Sequence, residues 1–349
     1  MGAQRCAPAH CGMAGLSAYR LHSDTVEGWV CNMEPETSRV VCIGGAAVDR
    51  KYRALATVRP GTSNPVTSER SFGGVARNVA ENIARLGTRV SLVSIVGTDD
   101  NGLALISDLE RLGIDTRHVT LSEAHATAEY VAVLQPDGEL AVGLANMAIF
   151  DEITPALLRG IRPELGSAWV FADCNLPSET LHDLIGLARR RAFMLAFDAV
   201  STPKVMRLPR DLTGIGMFFL NLDEARTYLD RPEVSPQAAA EALLARGAEQ
   251  VVLTLGDKGL VAADSFGIAT IAAFKAEIVD ATGAGDALIA ATLVAMLKDA
   301  SLVEAATLGT VAATLTVESP VSVRPDLSLG LLESISSLRA GQTSKRELS

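Results

Sequence analysis

From Arg39 onward the chain alternates short apolar runs with segments of helical period, and glycine marks the changeovers. RVVCIGG (39–45) is short, β-branched and closed by Gly44-Gly45, which reads as a buried strand. In GGVARNVAENIARLG (73–87), Val75, Val79, Ile83 and Leu86 recur at helical spacing, and Gly87 can end the helix. RVSLVSIVG (89–97) reads as a second strand and NGLALISDLERLGI (101–114) as a second helix. Strand, helix, strand, helix is the rhythm of a parallel sheet, so the fold class is α/β.

The rhythm then breaks. ATAEYVAVLQPDGELAVGLANM (126–147) holds two alternating runs around Pro136-Asp137-Gly138, a hairpin pattern. VDRKYRALATV (48–58) and TSERSFGG (67–74) also alternate, around Arg59-Pro60-Gly61. Together they predict a small second layer over one edge of the main sheet. The rhythm resumes with strands near 168–172, 193–198, 217–220 and 251–255, and helices at 178–191, 222–229, 236–247, 284–298 and 302–317. Residues 1–38 lack periodicity and any basic-then-apolar secretory pattern, and are expected to be a disordered leader. Residues 336–349 are expected to fray.

Composition narrows the function. The 349 residues carry a net charge of -10, which argues against nucleic acid as a partner because phosphate backbones select basic faces. No apolar run reaches membrane-span length. Five cysteines without a C-x-x-C pair fit free thiols in a reducing cytosol, so a cytoplasmic location is expected. The five histidines (His10, His22, His118, His125, His182) are scattered and read as solvated. There is no G-x-x-x-x-G-K-[ST], no G-x-S-x-G, and no G-x-G-x-x-G in strand-to-helix context.

The chemistry concentrates in DATGAGD (280–286), directly before a long apolar helix pattern. Gly283, Ala284 and Gly285 would place backbone N–H groups at a helix N-terminus, aimed at an anion. Asp286, one step inside, could accept a proton from an attacking hydroxyl, or could only favour the helix dipole. Asn78 and Asn82 lie on or beside the apolar stripe of their helix. Asn78 could reach a polyhydroxylated ligand and Asn82 a loop backbone, or both could be buried structural amides. Asp49, after the first strand, could grip sugar hydroxyls or cap a turn. Asn221 and Glu224 could organise magnesium-bound water and phosphate, or form a capping box. Thr254, Gly256 and Gly259 could line a nucleotide pocket, although a plain hairpin fits equally.

The order of these segments resembles the PfkB (ribokinase-like) sugar and nucleoside kinases over about residues 39–325. The resemblance implies a three-layer αβα sandwich with a mostly parallel central sheet and a small β-sheet lid. The kinase domain would span 39–335, with lid segments at about 50–72 and 126–147. It implies ATP-dependent phosphorylation of a primary hydroxyl, with Asp286 as base and Gly283, Ala284 and Gly285 as anion hole. Asp49, Gly73, Gly74 and Asn78 would bind the sugar or nucleoside. Asn221 and Glu224 would organise Mg2+ through water, and Asp280 with Thr282 would hold a monovalent cation such as K+. Ala281 departs from the motif's usual Thr or Val, at little cost because the hole uses backbone. GGAAVDRK (44–51), RPGTSNP (59–65), SFGGVARNVAENIARLG (71–87) and FDAVSTPK (197–204) are most similar to the pseudouridine kinases of that family. In that reading Thr62, Ser63 and Asn64 offer contacts to a base edge. Lys204 could meet a phosphate, or be a solvated lysine. A homodimer through the exposed lid sheet is expected.

Overall fold

The computed structural model describes residues 39–161, 165, 169–190 and 193–346, the stretch 338–346 as backbone alone. The expected leader at 1–38 and residues 347–349 lie outside the described residues. The strands are β1 (Arg39–Ile43), β2 (Ala47–Ala54), β3 (Val66–Gly73), β4 (Arg89–Gly97), β5 (Asp115–Ser122), β6 (Glu129–Leu134), β7 (Leu140–Asn146), β8 (Trp169–Asp173), β9 (Met194–Asp198), β10 (Met217–Asn221), β11 (Val251–Thr254), β12 (Leu260–Asp264) and β13 (Gly267–Ile271). The α-helices are α1 (Val75–Arg85), α2 (Asp100–Arg111), α3 (Pro155–Arg159), α4 (Ser178–Ala188), α5 (Thr202–Val205), α6 (Leu222–Leu229), α7 (Pro236–Ala245), α8 (Ala284–Met296), α9 (Leu302–Val317) and α10 (Leu329–Arg346).

The large sheet has nine strands in the order β13-β12-β11-β10-β9-β8-β1-β4-β5. Its strands pair in parallel from β11 to β5, and β12 alone is reversed, pairing antiparallel with both β11 and β13. The period-2 geometry of each strand sends alternate side chains to opposite faces. Val41, Ile43, Val93, Ile95, Val170 and Phe197 pack with α4, α6 and α7. Val40, Cys42, Leu92, Phe171, Ala196 and Phe219 pack with α1, α2, α8 and α9. The result is the expected αβα sandwich. Each fully buried Val, Leu, Ile or Phe contributes about 1.5–3 kcal/mol, so both faces of these strands hold the layers together. Helix α8 is buried without interruption from Ala287 to Ala295, as a helix apolar all round must be.

The small sheet has the order β3-β2-β6-β7, built from the two expected lid segments. β2 pairs antiparallel with β3 and parallel with β6. Three features differ from the sequence reading. β5 is polar at Asp115, Arg117 and His118, so its run lacks the apolar signal, yet it completes one edge of the large sheet. The 251–260 stretch continues into an antiparallel β11–β12–β13 ribbon. The tail expected to fray from 336 continues as α10 to Arg346.

Strand β1 sits between β4 and β8, so the chain leaves β1 to one side and later returns to the other. Such a reversal opens a crevice at the carboxyl ends of the strands, where α/β sheets bind ligands.

Candidate active site

Gly283 adopts a left-handed conformation (φ 81°) and caps α8 with no side-chain hydrogen bond. A Cβ there would fall 1.9 Å from the Ser322 carbonyl oxygen, so only glycine fits. The first-turn N–H groups of a helix have no acceptor within it, which leaves those of Gly285 and Asp286 facing outward. The N–H of Ala284 reaches only a long 3.4 Å contact with the Ala281 carbonyl. The start of α8 is therefore a positively polarised cradle for an anion.

Asp286 lies at its edge. Asn78 donates its side-chain N–H to Asp286 Oδ2 at 2.8 Å, across 208 residues of sequence. Burial pushes the Asp286 carboxyl up, as do the charges of Asp173 and Asp49, to about 7, against the pull of the Asn78 hydrogen bond. A carboxylate that gains its proton near neutrality is suited to general-base work. The orientation of Asn78 is itself fixed: Arg77 donates to its Oδ1 at 3.2 Å, which leaves Nδ2 for Asp286. Arg77 is held by Glu81 at 2.6 Å and Asp108 at 2.9 Å. Asn82, one turn deeper, donates to the Asn78 carbonyl at 2.9 Å rather than to a loop. Its Oδ1 is buried without a partner among the described residues.

Asp173, at the end of β8, pins this corner. Its carboxylate accepts from the backbone N–H of Gly45, Ala76 and Asn175, each at 2.9 Å. Burial raises its pKa and these hydrogen bonds oppose the rise. Gly74, at φ 94°, precedes α1, and a Cβ there would fall 2.4 Å from the Gly45 carbonyl oxygen. A Cβ on Gly73 would fall 2.1 Å from Asp49 Oδ2. The glycine pair thus brings α1, β1 and the lid carboxylate within van der Waals reach. Asp49 lies within lid strand β2 rather than in a loop after β1. Burial raises its pKa, offset in part by Lys51 and Arg77.

A cavity of about 640 Å³ adjoins the other side of the cradle, lined by Thr254, Gly256, Gly259, Ala284, Gly285 and the helix wall around Ala313. That volume suits a drug-sized or nucleotide-sized ligand. Asn221 and Glu224 form a reciprocal capping box at the start of α6, with hydrogen bonds of 2.8 and 2.9 Å. Burial raises the Glu224 pKa, and Asp198 is raised well above its usual range by burial and then by the charge of Glu224. Among the described residues no three His, Cys, Asp or Glu side chains cluster closely enough to hold a metal by themselves. The cap uses one Glu224 oxygen, Oε2. These residues fit a divalent cation that keeps its waters and shares phosphate oxygens, as magnesium does.

The monovalent-cation position does not fit. Asp280 Oδ1 accepts from the Thr282 N–H at 2.9 Å and the Thr282 hydroxyl at 2.6 Å. Asp280 Oδ2 is paired with the Lys51 ammonium at 2.6 Å. Both oxygens of this carboxylate are thus taken by donors, and a second cation would have to compete with the ammonium for it.

The expected residues of the lid loop lie apart from the start of α8. The β2–β3 register places Ala47 opposite Gly73 at one end and Ala54 opposite Val66 at the other. Thr62, Ser63 and Asn64 belong to the loop beyond that second end. Asn64 is consumed there, accepting from the Arg59 N–H at 2.8 Å and donating to the carbonyls of Arg59 and Thr62. Lys204 donates to Asn175 Oδ1 at 2.5 Å, and burial lowers its pKa. It is therefore partnered, not solvated. His125 likewise pairs with Glu152 at 2.6 Å. Cys42 and Cys174 are free and buried.

The sequence from 37 to 326 matches the model of the pfkB family carbohydrate kinases, over most of the chain. The chain belongs to that family. Curated relatives of this PfkB chain include the guanosine-inosine kinase of Exiguobacterium acetylicum, 29% identical over 78% of this chain and 92% of that protein. The pseudouridine kinase of Escherichia coli is 28% identical over 84% of this chain and 95% of that protein. Among solved structures, a carbohydrate kinase from Agrobacterium tumefaciens superposes with a TM-score of 0.76 at 29% identity, covering 85% of this chain and 96% of that one. The ribokinase of Arabidopsis thaliana complexed with ribose and ATP has a TM-score of 0.73 at 21% identity, covering 85% and 99%, which speaks for the fold alone. The PfkB chain is thus a sugar or nucleoside kinase with the ribokinase-like fold.

Sequence reasoning missed Asp173, Asp198, Arg77 and Lys51. Asp173 and Asp198 carried a usable signal, an acidic residue closing an apolar strand at its carboxyl end. Arg77 and Lys51 carried none, since charged side chains beside a helix start or along a lid strand are ordinarily solvated.

Proposed function

We propose that this chain is an ATP-dependent kinase that phosphorylates the ribose 5′-hydroxyl of pseudouridine, giving pseudouridine 5′-phosphate and ADP. The observation that carries the reading is Asp286, held by Asn78 at 2.8 Å beside the uncapped start of α8. In the proposed step Asp286 accepts the hydroxyl proton as the oxygen attacks the γ-phosphorus. A new O–P bond forms, the β,γ-bridging P–O bond breaks, and ADP leaves. The backbone N–H groups of the 283–285 turn offset charge on the transferring group, and positioning supplies much of the remaining rate enhancement. Asp49, Gly73, Gly74 and Asn78 hold the sugar. Thr254, Gly256 and Gly259 line the nucleotide cavity. Asn221 and Glu224 would hold magnesium through its bound water, and the ion would supply charge neutralisation at the phosphates.

The choice of pseudouridine rests on the GGAAVDRK, SFGGVARNVAENIARLG and FDAVSTPK stretches and on the Escherichia coli pseudouridine kinase at 28% identity. The base of pseudouridine carries one ring N–H more than that of uridine, and a site built to pair with it can reject uridine strongly. The second reading is a guanosine or inosine kinase, favoured by the guanosine-inosine kinase at 29% identity. Measuring ADP release with pseudouridine, uridine, guanosine, inosine, adenosine and ribose decides between them. A clear preference for pseudouridine supports the first reading, and a preference for guanosine or inosine the second. A preference for ribose or adenosine rejects both, and no ADP release with any acceptor favours a silent ligand-binding homologue.

We also propose one kinase domain over 39–335 in a cytoplasmic protein that dimerises through its lid. Leu140, Val142 and Leu144 support the last point, because they recur every second residue of edge strand β7 and are exposed. Among the described residues no helix is long and apolar enough to cross a membrane.

A further inference from the structure

We propose that the ammonium of Lys51, carried by the lid, takes the place of a bound monovalent cation beside the anion cradle, so that catalysis needs no potassium. Lys51 follows Asp49 by two residues on β2, so both side chains leave the strand on the same face. That face delivers Asp49 against Gly73 and Lys51 onto Asp280, 229 residues away in sequence. The remaining Asp280 oxygen is fastened to Thr282, at the start of the turn that becomes the cradle. Burial would raise the Asp280 pKa, yet the hydrogen bonds from Lys51 and Thr282 outweigh it and the carboxyl lies below its ordinary value. An ammonium brings a full positive charge and hydrogen-bond donors to a carboxylate flanking a phosphate cradle, and the charge, which a guanidinium also carries, is what that carboxylate needs.

This inference rests on the phosphotransferase reading, but one arm of its test does not. The proteins are the full chain and its Lys51→Met and Lys51→Arg variants. Each is compared in buffers whose cation is tetramethylammonium, sodium or potassium. Without any substrate, the melting temperature of the unaltered chain should not differ between buffers. Lys51→Met should melt lower in tetramethylammonium and recover in potassium. With MgATP and acceptor, the unaltered chain and Lys51→Arg should keep their turnover within about twofold in all three buffers. Lys51→Met should fall at least tenfold and be restored by potassium. Potassium activation of the unaltered chain overturns the proposal. A loss in Lys51→Met that potassium does not restore also overturns it, and makes Lys51 a phosphate contact instead. If no acceptor is phosphorylated, the substrate-free melting arm still decides the cation question while the kinase reading fails separately.

Discussion

Replacing Asp286 by Asn should remove catalysis and stabilise the fold at once, with a pH dependence that identifies the carboxyl. Its pKa rises from 3.8 to about 7 on folding. A raised carboxyl contributes its full stability below the unfolded value and loses it as pH climbs to the folded value. Above about pH 7 the charged Asp286 therefore costs the fold a constant amount. At 1.36 kcal/mol per pH unit of displacement, that amount has a ceiling of about 4 kcal/mol. Asn cannot charge and can still accept from Asn78 through its own carbonyl. The variant should match the parent near pH 4, gain progressively to pH 7, and hold a gain of about 2–4 kcal/mol at pH 8. Urea unfolding of both proteins at pH 4.5, 6 and 8, with turnover measured alongside, checks this. Turnover should drop about 10²–10⁴-fold while ATP still binds. A stability gain equal at all three pH values, or none, refutes the burial argument. Near-normal turnover refutes the base.

The acid limb of the kcat/KM profile should lie near pH 7, since activity requires the charged Asp286 and rises as pH climbs through its pKa. Asp49→Asn removes one of the charges that raise it, so the limb should move to lower pH while KM for the acceptor increases. Gly74→Ala forces a Cβ to within 2.4 Å of the Gly45 carbonyl at φ 94°, and should lower stability by at least about 2 kcal/mol in a thermal unfolding measurement. Asp173→Ala strands three backbone N–H groups at about 1–3 kcal/mol each, so denaturant unfolding should show a loss of about 3 kcal/mol or more. Ala313→Phe should push a ring into the 640 Å³ cavity and weaken ATP binding at least tenfold, read by calorimetry, with acceptor binding preserved.

The sequence alone determined what depends on neighbours along the chain. Period and glycine placement identified the alternating strands and helices, because burial on one or both faces imprints itself on residues two or four apart. The DATGAGD turn, the capping pair Asn221 and Glu224, and the lid hairpin were legible for the same reason: their bonds close within a few residues. Tertiary structure decided what depends on partners far away. It alone set Asn78 against Asp286, fastened Asp173 to the distant segments at Gly45 and Ala76, and laid Lys51 on Asp280. It also spent the Asn64 amide on hydrogen bonds within its own loop. A charged or amide side chain has many acceptable partners, and which one it meets is fixed by the crossing of elements that composition and spacing do not encode.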